Sequence, residues 1–475
     1  MKRLILIIAS SVCIASSSLA ASFDPRSAQF PPLHYQVPDS TRVVLNNGIP
    51  VHIIQDPAAT VSTVSILIRG GSLSDPPGKA GLAELLGQAL RNGGTASLTP
   101  QSVDERFDAI AARLSIDFTE EYGVATVSAM PAFFPEAVTV LAELFTAPRF
   151  DTDRIIVAQQ QMVEAVKRVH DDPKELGTTL LTQAVYRGEP AGTVPTQKSI
   201  QSLTVDDIRQ AYVRLIQAGN IVLSVSGPNS VNAVKKILTP FSALRQGSGE
   251  QKVKPSTGAL SSQTQLYTVS RDISQSVIRL GMPGIRQDDP DLYASRVLNY
   301  IFGGSFTSRL MMELRTNRGL TYHVGSHFDI GRTYPGLFTI ETETEASNTA
   351  LVLKLINDIC ESLVQKTVTP QELAGAKDAL INSFVFGFSS AQAVADQRAR
   401  LELFNYPAGY LELYRKRIAA VSVEDVQRVA QRFLKTGDYR MVVVGKQQVL
   451  LDISKRSKAA AISESDLMQG VLPSD

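Results

Sequence analysis

Cysteine is almost missing. Cys13 and Cys360 are the two in 475 residues, and the first lies in a segment that reads as a removable leader. Neither a disulfide framework nor a CxxC metal site can be built from them, so stability must come from packing. An excess of one charge is missing too: 47 basic against 46 acidic side chains give +1. That balance argues against a nucleic-acid binder, and 44% hydrophobic with 20% charged residues is the composition of a soluble globular protein rather than a disordered one. After the first twenty residues there is no run of about 18 apolar residues, so no membrane span is expected in the mature chain. At 51.4 kDa the chain is long enough for several domains, each with its own core.

The N-terminus reads Met1-Lys2-Arg3, then an apolar run from Leu4 to Ile14, then Ser16-Ser17-Ser18-Leu19-Ala20-Ala21. A charged start, a short apolar stretch and small residues predict a secretory signal at 1–20, cut near Ala20. The expected location is therefore an exported compartment, most simply the periplasm.

Two distant stretches superimpose without a gap. Leu203-Thr-Val-Asp-Asp-Ile208, Ala211, Leu215 and Ile221 to Gly227 match Val421-Ser-Val-Glu-Asp-Val426, Val429, Phe433 and Tyr439 to Gly445. Each copy reads as a helix capped by Thr204 or Ser422, with acids in its first turn, running into an apolar strand that ends on glycine. A second pair joins the helix Ala80 to Asn92, ending in Gly93-Gly94, to the helix Asp291 to Phe302, ending in Gly303-Gly304. The polar stretch Arg245 to Gly258, rich in glycine and serine, reads as a linker. The expected fold is α+β: two tandem duplicated domains at 40–240 and 263–460, joined by a flexible linker at 241–262, each a mostly antiparallel sheet with helices packed on one face.

The helix from Ala80 places Leu82, Leu85, Leu86, Ala89 and Leu90 on one face. Here the chain resembles the pitrilysin/insulinase family of inverted-motif zinc peptidases, on the strength of Ile66 to Ser72 followed by Gly81-Leu-Ala83. In that family the helix continues His-x-x-Glu-His, two zinc ligands and a glutamate that activates the metal-bound water. The matching positions here are Glu84, Gly87 and Gln88, and the third ligand position falls near Ala165, with Glu164 one residue away. The histidines, His34, His52, His170, His323 and His327, supply no replacement in that helix. No metal site and no cofactor are therefore expected in this chain. His323 and His327 read as one face of a strand.

Phe302-Gly-Gly-Ser-Phe-Thr-Ser-Arg-Leu310 and Glu313-Leu-Arg-Thr-Asn-Arg-Gly-Leu-Thr-Tyr-His-Val324 are similar to the family's second-domain signature. The resemblance implies that Arg315 and Tyr322 reach substrate in the zinc site. Arg309 and Arg318 read as local ion pairs, and Gly319 as the turn between helix and strand. The resemblance as a whole implies a noncatalytic subunit of an exported heterodimeric zinc peptidase that degrades unfolded peptides. A homologous partner would hold the zinc, and Arg315 and Tyr322 would serve its active site in trans. The alternative is a pseudopeptidase, a peptide-binding, chaperone-like or structural subunit without a role in catalysis. A homodimer with unrelated chemistry is the third reading.

Overall fold

The computed structural model describes residues 35–247, 265–435, 437, 439–455, 459–463, 466, 470 and 472. The expected signal at 1–20 and residues 248–262 of the expected linker lie outside the described residues. Residues 1–36 form a separate unit, of which only the last two residues are described. Residues 37–475 form one compact body.

In the first half, apolar and alternating runs give β1 (Thr41–Val44), β2 (Pro50–Gln55), β3 (Ser62–Arg69), β4 (Arg113–Phe118), β5 (Tyr122–Ala129) and β6 (Ile221–Gly227), in the order β1-β2-β6-β3-β5-β4. The second half has β7 (Gln265–Ser270), β8 (Gln275–Pro283), the short parallel pair β9 (Ile285–Arg286) and β11 (Ile330–Gly331), and β10 (Val324–Phe328), β12 (Leu337–Glu345), β13 (Arg440–Gly445) and β14 (Ala459–Ala461). Its large sheet runs β10-β12-β8-β13-β7-β14. Five strands correspond one to one: β2-β6-β3-β5-β4 and β7-β13-β8-β12-β10. In both sets the first pair is parallel and the rest antiparallel. The duplication is thus visible in topology. The copies differ at the sixth strand, where β1 is antiparallel to β2 and β14 parallel to β7.

The helices are α1 (Leu82–Asn92), α2 (Pro100–Ala109), α3 (Phe134–Thr146), α4 (Thr152–Asp171), α5 (Pro173–Val185), α6 (Gln197–Gln201), α7 (Val205–Leu215) and α8 (Val231–Ile237) in the first half. The second half has α9 (Leu292–Phe302), α10 (Thr349–Gln365), α11 (Pro370–Ser383), α12 (Ala391–Leu403), α13 (Tyr410–Ala420), α14 (Val423–Phe433) and α15 (Gln447–Ser454). Thr204 and Ser422 each form a full capping box, with Asp207 and Asp425, at the matched helices α7 and α14. The faces repeat as well: Ile208, Ala211 and Leu215 are buried in α7, and Val426, Val429 and Phe433 in α14. Each half has its own core, around Ile66, Leu86 and Phe145 in the first and Ile278, Phe302 and Phe338 in the second. Burial of each such side chain stabilises by about 1.5–3 kcal/mol.

The second face of each sheet is covered by a helix of the other half. Helix α5 lies on β8 and β13, and α12 on β2, β3 and β6. The two covers differ in chemistry. Leu176, Leu180, Leu181 and Ala184 of α5 share an apolar cluster with Tyr267, Val277, Val442 and Val444. Gly177 permits that approach, because a Cβ there would stand 3.3 Å from Arg279 Cγ and 3.4 Å from Val277 Cγ1. Under α12 polar contacts stand beside an apolar cluster of Ala399 and Leu403 with Leu67 and Val222: Gln392 donates to Ser65 (3.0 Å) and Ser224 (3.2 Å), and Ser224 bonds to Asp396. At its far end Glu402 accepts from both Nε (2.9 Å) and Nη2 (2.7 Å) of Arg42 and bonds to His52 Nε2 (2.7 Å), while His52 Nδ1 meets Ser40 Oγ at 2.7 Å.

Candidate functional site

Helix α1 is started by Asp75, whose carboxylate accepts from the backbone N–H of Gly81 (3.1 Å), Leu82 (3.0 Å) and Ala83 (3.0 Å). Leu82, Leu85, Leu86, Ala89 and Leu90 face the core, as their spacing predicts. Glu84 stands at the edge of a largely apolar cavity of about 250 Å³, lined also by Met162, Ala165, Leu176, Leu180 and Ile200. Its carboxyl has no hydrogen-bond partner among the described residues, and burial raises its pKa.

At Gly87 a Cβ would meet Phe118 Cδ2 at 3.1 Å and Ile116 O at 3.3 Å. On its other side the Phe118 ring lies against Gly123 of β5, where a Cβ would be 2.5 Å from Cε1. Gln88 is occupied locally, accepting from Asn92 Nδ2 at 3.1 Å. Ala165 offers a methyl group, and Glu164 is turned to Lys167 (2.7 Å) at the surface. Neither the donor set nor the space suits zinc. Among the described residues no three His, Cys, Asp or Glu side chains are grouped to hold a metal ion.

Arg315 lies in a π-helical turn, Met311–Asn317, a geometry frequent at functional sites. Gly319, at φ +63°, and a bond from Leu320 N to Leu314 O end that turn. Tyr322 sits in the loop just before β10 rather than within the strand. The hydroxyl of Thr321 bonds to the carbonyls of His323 and Glu343 (both 2.6 Å), taking the place of ladder bonds there. The Tyr322 ring is 85% exposed, with Phe306 close by at 76%. The Arg315 guanidinium lies over both rings, 5.1 Å from Tyr322 and 5.8 Å from Phe306.

The neighbouring arginines are differently engaged. Arg309 holds both oxygens of Glu372 (2.8 and 3.0 Å), and Arg318 binds Glu313 at 2.6 Å. Arg315 has no carboxylate within 4.0 Å among the described residues, and its only polar contact there is with Met311 Sδ, at 4.0 Å. The structure therefore brings Glu84 and Ala165 to one cavity and Arg315 and Tyr322 to one exposed cluster; the second pair is not part of the cavity wall. His323 lies 3.5 Å from Glu341, and His327 binds Asp329 at 3.0 Å, which raises its pKa. The role of Phe118 had no sequence signal, since nothing local marks a ring that fills a gap on another element.

Two family models match the chain, "Insulinase (Peptidase family M16)" over residues 50–195 and "Peptidase M16 inactive domain" over residues 202–380. Together they take in well over half of it. Among curated relatives, the "non-peptidase homolog YmxG" of Helicobacter pylori is 25% identical over 386 residues, covering 80% of this chain and 87% of that one. The "uncharacterized zinc protease YmxG" of Bacillus subtilis is 25% identical over 407 residues, covering 85% and 97%. Among solved structures, a peptidase M16 inactive domain from Pseudomonas fluorescens aligns with a TM-score of 0.77 at 25% identity, over 86% of this chain and 98% of that one. A protease from Helicobacter pylori aligns with a TM-score of 0.76 at 19% identity, over 86% and 100%.

Proposed function

The chain belongs to the insulinase (M16) peptidase family as a noncatalytic member, and from that premise we propose that it works as the zinc-less subunit of an exported heterodimeric peptidase acting on unfolded peptides. The partner is a homologous subunit that holds zinc, and this chain supplies Arg315 and Tyr322 to its active site. The observation that carries the reading is the state of the three arginines in the second-domain motif. Two are tied to carboxylates, while Arg315 lies over an exposed tyrosine with no carboxylate within 4.0 Å among the described residues. A planar cationic fork suits a peptide carbonyl or carboxylate, and a phenol can donate to an oxyanion as it develops.

We further assign the signal to residues 1–20, the domains to 40–240 and 263–460 and the linker to 241–262, with the periplasm as the compartment. Among the described residues no helix is long and apolar enough to cross a membrane. The pseudopeptidase alternative has its own support in the apolar cavity beside Glu84, which has room for a side chain of a bound peptide.

Steady-state hydrolysis of a fluorogenic peptide by a reconstituted complex separates the two. With assembly verified by size exclusion, Tyr322→Phe should lower kcat about 10²-fold to 10³-fold. Arg315→Ala should act mainly on KM. Intact complexes with unchanged rates for both variants reject the shared active site and leave the pseudopeptidase.

A further inference from the structure

Toward its C-terminal end the chain returns to the first half. Strand β14 pairs in parallel with β7 at the edge of the second sheet, and the Ile462 N–H donates to the Thr268 carbonyl at 2.9 Å. Ser463 and Asp466 then bond reciprocally, the Ser463 N–H to Asp466 Oδ2 (2.9 Å) and the Asp466 N–H to Ser463 Oγ (3.2 Å), the pairing of a helix start. Asp466 and Gly470 stand in the wall of the cavity of about 250 Å³, the same wall that holds Glu84 and Ala165.

Three contacts seat the segment there. Gln183 of α5 is buried, and its Nε2 donates to the Gly470 carbonyl at 3.1 Å, its one acceptor among the described residues. Gly470 has φ +63°, and a Cβ there would stand 2.6 Å from Cγ2 of Thr196, the cap of α6, so both backbone and space call for glycine. Ile462 and Leu472 are buried in one apolar cluster with Leu176 and Leu180 of α5, and those two leucines also line the cavity.

The anchorage is light all the same. Strand β14 has three residues and lies at a sheet edge, and neither of the two large cores includes a residue of this segment. A segment held in this way opens locally while the cores stay folded. We propose that the segment from Ser463 onward is an autoinhibitory strap: seated against α5 and α6, it closes the cavity beside Glu84 to apolar ligands, which enter only when it lifts. The strap depends on neither a zinc-bearing partner nor Arg315 and Tyr322, so its failure and the failure of the heterodimer reading remain distinct.

Titration of the full chain alone with N-phenyl-1-naphthylamine, a neutral apolar probe that fluoresces out of water, measures access to the cavity. A site open for part of the time binds more weakly by that fraction, so Gly470→Val, which unseats the strap, and a chain ending at Ile462 should each bind the probe about tenfold or more tightly than the unaltered protein. A synthetic peptide of residues 463–475 should displace the probe from the shortened chain. Ala165→Phe, which fills the cavity, should cancel the gain given by Gly470→Val. If the shortened chain does not fold, Gly470→Val with and without Ala165→Phe still decides the matter. Equal affinity for the probe in all chains, a gain that survives Ala165→Phe, or a peptide that fails to displace the probe would each overturn the proposal.

Discussion

At position 87 the lack of a side chain is what lets the Phe118 ring lie between α1 and β5. Gly87→Glu should therefore cost at least about 2 kcal/mol, since it forces a larger and chargeable group into filled space. Phe118→Ala introduced with it should recover part of that loss, and chemical denaturation of the two variants measures both. Equal stability of Gly87→Glu and the unaltered protein would show that the ring moves aside freely. At this scale the sequence was informative about what α1 lacks, because Glu84, Gly87 and Gln88 can be read directly against a metal-binding pattern. It was silent on what stands in the vacated space, because Phe118 comes to α1 from β4. Arg315 and Tyr322, by contrast, are close in the chain and carry a recognisable surrounding.

Among the elements, α11 shows how a cap and a functional segment are coupled. Glu372 closes the capping box with Thr369 and also receives the Arg309 fork from the segment that leads to Arg315. The Arg309 hydrogen bonds, against an opposing effect of burial, hold the Glu372 carboxyl at a pKa of about 2. A carboxyl depressed in the folded state adds stability that is complete above its ordinary value near 4.5 and is lost as pH falls from there toward about 2. Acid unfolding of Glu372→Gln should accordingly show a shallower fall over that window than the unaltered protein. Parallel curves would mean that the pair adds nothing.

Helix α12 responds to acid for another reason. Burial lowers the pKa of His52 although Glu402 opposes the shift, so the unfolded chain takes up a proton first as pH drops below 6.5. Stability contributed by this contact declines from that point downward. Neutral His52, donating from Nε2 to Glu402 and accepting at Nδ1 from Ser40, is the form that satisfies all three groups. Helices α1 and α9 were legible in the sequence, but the role of α12 was not, because Gln392, Asp396 and Glu402 meet the first sheet through hydrogen bonds.

In the molecule as a whole, the duplicated strands were legible as apolar runs ending on glycine, and the exchange of α5 and α12 was not, since burial against a distant partner leaves no mark in local pattern. The exchange changes what a cut between the halves should do. The glycine and serine content of 245–258 makes that stretch the expected site of first cleavage. The two fragments should nevertheless elute together on size exclusion and part only in denaturant, because each carries the cover of the other's sheet. Fragments that separate in native buffer would contradict this. The order of the covers along the chain has a further consequence, in time rather than in space. Helix α5 is made before the sheet it covers, so the second half finds its lid waiting. The first half has all six strands by residue 227, yet the helix that closes its sheet arrives only with residues 391–403. During synthesis from the amino end, that sheet passes through a period with one face bare, and it is the half in greater need of a chaperone.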